Sequence, residues 1–429
     1  MTVAPDALRT QSSPTETAAA TSAPNDDRRA SIAHVLRRLT FAPSRQRIDA
    51  LVDAGPEAAI EAMLTASSTA ALPTPPAFGT NDDNSVLVKW WTDQMVQTDT
   101  PLLERMTWFW HGHLTSSLGK GGSASMVFAQ NQLVRRFALG NFRQLMKAIT
   151  IDASMLFWLD GNWSTADAPN ENYGRELMEL FTLGRGNYTE NDVRNAAKGL
   201  AGWAVDNDRV VFGDDRASKS DLTLFGTTGR YDVNTVIDAI VDQPACAGFI
   251  TTKLYRYFMG TDPSAGRANE LATVFRDSGT EVRPVVENIL RHPSFLELGN
   301  RYARIRGPVE WRAAAQIALG VPIEWNALWD FGQVPFFPPN VAGWPNDRRW
   351  LAASPMLLRA RTARDNSWDS LVEDNDDYAT WALNQAGIFD ASATTIDALR
   401  GAVKRAEGRR NQASIALSLA VCSPEFLLA

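Results

Sequence analysis

The sequence predicts a mainly α protein: a large, irregular multi-helix bundle with one small β-hairpin insertion at about 205–231 and a Pro/Gly-rich aromatic loop at about 335–350. Three observations carry that prediction. Apolar residues recur at helical spacing along most of the chain. Only two runs are β-prone, Arg209-Val210-Val211-Phe212 and Leu222-Thr223-Leu224-Phe225, and they flank a polar stretch from Gly213 to Ser220, which suggests a single hairpin. The stretch Phe336-Phe337-Pro338-Pro339-Asn340-Val341-Ala342-Gly343-Trp344-Pro345 breaks both helix and ladder with its prolines and glycine.

Taken in order, residues 1–28 are rich in Ala, Ser, Thr and Pro without apolar period and are expected to be a disordered tail ahead of a single helical domain, 29–429. Ser31 to Phe41 is a short amphipathic helix that should stop before Pro43. Helices follow from Ser44 to Ala54 and from Pro56 to Thr65, the latter with proline in its first turn. After a Pro-, Thr- and Asn-rich loop from Ala70 to Asn84 come two Trp-bearing helices, Ser85–Thr98 and Pro101–His111. Helical patterns resume at Ala124–Leu139, Asn141–Asp152 and Ala153–Leu159. Asn170 is then a plausible N-cap for the helix running to Gly184, and Thr189 for the next one, which ends near Trp203. Beyond the hairpin the helical segments are 234–242, 245–259, 266–277, 282–291, 308–319, 355–364, 377–385, 395–407 and 411–421.

Composition narrows the function classes. Of 429 residues, 45% are hydrophobic and 21% charged, which is ordinary for a folded globular chain. With 42 Lys+Arg against 49 Asp+Glu the formal charge is −7, which argues against a nucleic-acid partner. No apolar run approaches the ~18–20 residues of a membrane span. No basic-then-apolar leader is present, so the expected location is cytoplasmic. Cys246 and Cys422 are too few for a disulfide framework and read as small buried thiols. The chain has no phosphate-cradling Gly-rich loop, no Gly-x-Ser-x-Gly elbow and no His-Glu-x-x-His, which removes the usual nucleotide, α/β-hydrolase and zinc-protease chemistries.

Three stretches are left to carry chemistry. In Asn170-Glu171-Asn172-Tyr173-Gly174-Arg175-Glu176-Leu177-Met178-Glu179-Leu180-Phe181-Thr182-Leu183-Gly184, charged and amide side chains enter an otherwise apolar helix. Glu176 and Glu179 fall on one side of it, with Asn172 four residues before Glu176. They suit a general acid/base pair with one pKa raised by burial. With His111 and His113 they would instead make a carboxylate–histidine centre for a divalent metal, with Asn170, Asn172 and Arg175 in support. The competing structural reading has Arg175, Arg143, Arg304 or Arg306 neutralising the glutamates as ion pairs. The second stretch, Trp108-Phe109-Trp110-His111-Gly112-His113, has a metal-ligand spacing only if the helix ends near Gly112, because on a helix the two rings point ~200° apart. Otherwise both are packed core histidines. The third is the aromatic loop, where Trp344 and Trp350 would stack on a flat ligand or simply plug the bundle.

At these residues the chain resembles a large bacterial family known as a domain of unknown function, DUF1800. The resemblance rests on Arg37-Arg38-Leu39-Thr40-Phe41, Phe109-Trp110-His111-Gly112-His113, Pro169 to Leu177, Leu183-Gly184, Tyr188 to Val193, Gly202-Trp203, Lys253-Leu254-Tyr255-Arg256-Tyr257-Phe258 and Pro338 to Pro345. It implies a mainly helical fold and carries no activity with it. It is similar with two departures, Gly112 where the family more often has Asn and Gly174 where it more often has Ala. Family members often accompany a sulfatase-like partner, DUF1501, that carries an export signal. The resemblance therefore implies such a partner for this chain, and export together with it. Two functions stand side by side: a metal- or carboxylate-dependent enzyme, a hydrolase or oxidoreductase, using Glu176, Glu179 and Arg175 with Asn170, Glu171 and Asn172 as binding groups; and a non-enzymatic binding or assembly protein whose contact surface is the aromatic loop and the Trp-rich helices.

Overall fold

Helix Pro101–His113 is where the molecule is joined. Nearly every residue on it is buried, so it has no solvent face and must be covered all round. Leu102, Leu103, Met106 and Trp110 recur at three- and four-residue steps and enter one apolar cluster. That cluster is built with helices Pro24–Leu39, Phe142–Thr150, Pro244–Met259 and Val282–Arg291. Trp108, on the opposite side, enters a second cluster with helices Asn84–Gln97, Pro308–Leu319, Tyr378–Gln385 and Arg409–Ala420. The two clusters thus meet across this helix and across its neighbour Ala124–Phe137, which gives Val134 to the first and Val127 to the second.

This computed structural model describes residues 24–41, 43–68, 72–77, 84–120, 122–345, 348–370 and 374–429. Among them the chain is helical with two small antiparallel sheets, as the apolar periodicity predicts. The expected disorder of residues 1–23 lies outside the described residues. Residues 24–28 are not part of a tail: helix Pro24–Leu39 begins there, with Asp26 and Asp27 in its first turn, where the helix dipole favours acids. Arg301 pairs with Asp27 at 2.9 Å and anchors that turn.

The insertion differs from the expected single hairpin. The runs Arg209–Phe212 and Leu222–Leu224 do not pair with each other. Each closes on its own neighbour: Trp203–Asp206 with Arg209–Phe212, and Leu222–Leu224 with Thr227–Gly229. Both loops have two residues with positive φ, Asn207 (47°) with Asp208 (62°) and Phe225 (48°) with Gly226 (80°). That is the backbone of a tight primed turn, whose twist matches the strands it joins. Asn207-Asp208 is the composition such a turn prefers, and it lies outside the two β-prone runs.

The Pro/Gly loop closes the seam beside the central helix. Gly343 has φ of +81°, and a Cβ there would lie 2.5 Å from the Gly112 carbonyl oxygen, so glycine is what lets the loop approach. Trp344 follows, only 7% exposed, with its ring stacked 5.4 Å from Trp108. Trp350 is buried as well, and its indole N–H donates to the Pro345 carbonyl at 2.5 Å. The loop plugs the bundle and presents no indole face to a ligand.

Candidate functional site

The polar helix is built from its caps inward. The Asn170 side-chain oxygen accepts the Tyr173 amide at 3.0 Å, as an N-cap does, while its Nδ2 donates to the Leu159 carbonyl at 2.6 Å. Tyr173 is buried, and its hydroxyl donates to the Thr150 carbonyl at 2.5 Å. The α-helix Glu171–Glu176 then widens into a π-helical turn, Leu177–Thr182. In that turn the Leu183 amide reaches back five residues to the Met178 carbonyl at 2.8 Å. Such a bulge leaves late carbonyls without helical donors. The Leu180 carbonyl accepts from Lys253 Nζ at 3.1 Å and the Phe181 carbonyl from His113 Nε2 at 2.9 Å. Lys253 Nζ also lies 3.0 Å from His113 Nδ1 and 4.4 Å from the centre of the Phe249 ring.

Those contacts assign the His113 proton. With Nε2–H donating to Phe181, Nδ1 is left to accept from Lys253. Burial, then the Lys253 charge, holds His113 well below the usual imidazole range, so it is neutral. Burial, with Arg256 nearby, lowers Lys253 to about 8. His111 faces elsewhere. Its Nε2 accepts the Phe336 amide at 3.1 Å, its ring lies among Trp91, Trp108, Phe336 and Trp344, and burial lowers it to about 3. The helix does not end at Gly112 but runs through His113, so the two rings diverge as helical geometry requires. The His-x-His pair is therefore not a common ligand set. Among the described residues no group of three or more His, Cys, Asp or Glu side chains is placed to hold a metal ion.

The two glutamates are in unequal surroundings. Glu179 accepts from Arg185 Nε at 2.6 Å and from the Tyr188 hydroxyl at 2.9 Å, and these two donors hold its carboxyl below the usual range. Glu176 is half-buried and, among the described residues, forms no hydrogen bond or ion pair; burial, then the Glu179 charge, raises it. Arg175 is engaged in a bidentate pair with Glu190, both contacts 2.7 Å. Glu171 and Asn172 are exposed beside it. Among the described residues none of the other expected arginines pairs with either glutamate: Arg143 pairs with Asp238 and Asp242, Arg304 with Glu310, and Arg306 lies on the Phe426 ring. Arg185 takes that role for Glu179, because Gly184 at φ +78° turns the chain back over the helix end. Glu190 also opens the helix Glu190–Gly199, whose Thr189 and Asp192 form the expected capping arrangement.

Sequence reasoning passed over Arg185, Tyr188 and Lys253. Tyr188 and Lys253 sit inside motifs that were visible, and a lysine on the apolar helix Pro244–Met259 is a signal in itself, since a buried ammonium requires acceptors. Their partners are remote: Lys253 and His113 are 140 positions apart.

Residues 34–428 match the family described as Protein of unknown function (DUF1800). No curated protein and no solved structure matches the chain. A match that spans nearly the whole chain, hallmark helix and sealing loop included, places this protein in the DUF1800 family.

Proposed function

We propose that the π-helical turn is an acid–base catalytic site of a carboxylate-dependent hydrolase, with Glu176 exchanging the proton and Glu179 remaining ionised beside it. The single observation behind this reading is the unequal partnering of two carboxyls one turn apart: Glu179 holds a guanidinium and a phenol, while Glu176 has no hydrogen bond or ion pair among the described residues. Pairs of titratable groups whose environments separate their pKa values are the usual layout of acid and base roles. Glu171, Asn172 and Arg175 border the turn and would contact the substrate. The test is the purified chain assayed on chromogenic esters, glycosides and amides, alongside Glu176→Gln and Glu179→Gln. The expected result is a hydrolysis lost in Glu176→Gln, with a pH limb above the ordinary glutamate range and an unchanged melting temperature. A hydrolysis indifferent to Glu176→Gln would overturn the reading.

A second reading, a binding or assembly protein joined to a sulfatase-like DUF1501 partner and exported with it, has one observation in its favour. Trp163, 75% exposed, stands on the turn Gly161–Trp163 that leads into the polar helix, so the indole the contact surface needs is there and not in the sealing loop. Co-purification with such a partner that Trp163→Ala abolishes would support it. Unchanged co-purification would remove Trp163 from the contact.

A further inference from the structure

The most unusual chemistry in the molecule lies away from the polar helix, where arginines are buried in excess of acids. Arg37 and Arg38 end helix Pro24–Leu39, Arg105 comes from the central helix, and Arg304 and Arg306 flank Ile305. Ile305 pairs with Leu428 in an antiparallel bridge, with the Arg304 amide on an oxygen of the terminal Ala429 at 3.1 Å and the Arg306 amide on the Leu427 carbonyl at 2.9 Å. In that extended backbone residues two apart project to the same side, so Arg304 and Arg306 point together. The groups sense one another: Arg38 is lowered first by burial, then by Arg304, Arg37 and Arg105, and Arg306 first by burial, then by Arg37.

Among the described residues one side-chain carboxylate pairs with them. Glu310 is 3.0 Å from Arg105 and accepts from Arg304 at 2.9 Å. Burial alone would raise it, yet Arg105 and Arg304 hold it down to about 2. Carbonyls of Phe258 (2.7 Å) and Asn300 (2.5 Å) take part of Arg38, and that of Gly387 (3.1 Å) part of Arg37. Several guanidinium faces lie on rings, Arg37 on Tyr302, Arg105 on Phe41 and Tyr257, Arg306 on Phe426. The N–H groups lie in the guanidinium plane, so stacking leaves them free to donate. Among the described residues Arg37 Nε and Nη2, Arg38 Nε, Arg105 Nε and Nη2, and Arg306 Nη1 are buried without an acceptor. Guanidinium keeps its charge at any physiological pH, and burying it without counter-charge is costly.

We propose that Arg37, Arg38 and Arg306, the members without an ion-paired carboxylate among the described residues, form an internal binding site for a small tetrahedral oxyanion of the phosphate or sulfate class. Such an anion supplies in-plane acceptors to several guanidinium edges at once and offsets the positive excess. Arg304, whose side chain is 13% exposed, is the member of the cluster nearest to solvent.

The experiment uses the full chain purified in chloride. Thermal unfolding is followed with millimolar inorganic phosphate or sulfate against chloride of equal ionic strength, below the range in which excluded salts stabilise every protein. The protein is also denatured and its released anions are identified by ion chromatography. A saturable rise in melting temperature, or a stoichiometric retained anion, is expected, and phosphate and sulfate are told apart by which gives it. Arg306→Met should lose the rise and melt higher than the parent in chloride, because one uncompensated charge is gone. Equal melting in all three salts together with an anion-free protein would overturn the proposal, as would a rise that Arg306→Met retains.

Discussion

The molecule handles charge in two opposite ways. At the polar helix the ions are half-exposed and paired one to one, Arg175 with Glu190 and Arg185 with Glu179, while the half-buried Glu176 has no ion pair among the described residues. In the arginine core the ions are buried and unequal in number, with Glu310 shared between Arg105 and Arg304 while Arg37, Arg38 and Arg306 form no ion pair with a side-chain carboxylate among the described residues. Water screens the first region, so its pairs tune pKa values and add little to stability. The second has no such screen, so the same ion types decide whether the fold holds. The difference teaches that a site of chemistry and a site of stability can share residue types and be told apart by burial and partner count.

The largest effect is expected in the core. Glu310→Gln leaves Arg105 and Arg304 buried without counter-charge and should cost about 3–5 kcal/mol in denaturant unfolding. The pH dependence has a definite sign. Glu310 is held at about 2 in the fold against an ordinary 4.5, so its contribution is complete above about 4.5 and drains away as pH falls towards 2. Urea midpoints measured down that range should fall for the parent and flatten for Glu310→Gln. A middle-sized effect belongs to the helix itself. Asn170→Ala removes the cap on Tyr173 and should cost about 1 kcal/mol, which Asn170→Asp should largely restore.

The smallest effects separate the two regions most cleanly. Arg185→Ala, on a highly exposed side chain, should leave the melting temperature unchanged while raising the Glu179 titration towards the ordinary range. Glu176→Gln should go the other way from a structural glutamate. Because Glu176 is raised in the fold, it favours folding below its ordinary pKa and weakens it as pH rises through the folded value. Removing its charge should therefore leave the neutral-pH melting temperature equal or slightly higher. A clear drop in melting temperature would reassign Glu176 to the structural class.

Local features were legible in the sequence. Asn170 and Thr189 are caps by residue type, helix extents follow the apolar period, and the Pro/Gly loop is irregular because Pro338, Pro339 and Gly343 allow nothing else. What the sequence hid depends on distant partners. Gly112 reads as a helix stop, yet the glycine that geometry demands is Gly343, which must fit against the Gly112 carbonyl. The π-turn has no residue signature, and Lys253 and His113 acquire their roles only where two remote helices meet. Glu176 and Glu179 were visible as a pair, but their inequality was not, since it depends on where Gly184 sends Arg185.

Carboxyl-carbon NMR titration of the parent chain reads that inequality directly, with Glu176→Gln and Glu179→Gln spectra for assignment. Glu176 should titrate above the ordinary glutamate value of 4.5 and Glu179 below it, and the two should draw together in Arg185→Ala. Both carboxyls titrating together near 4.5 would contradict it.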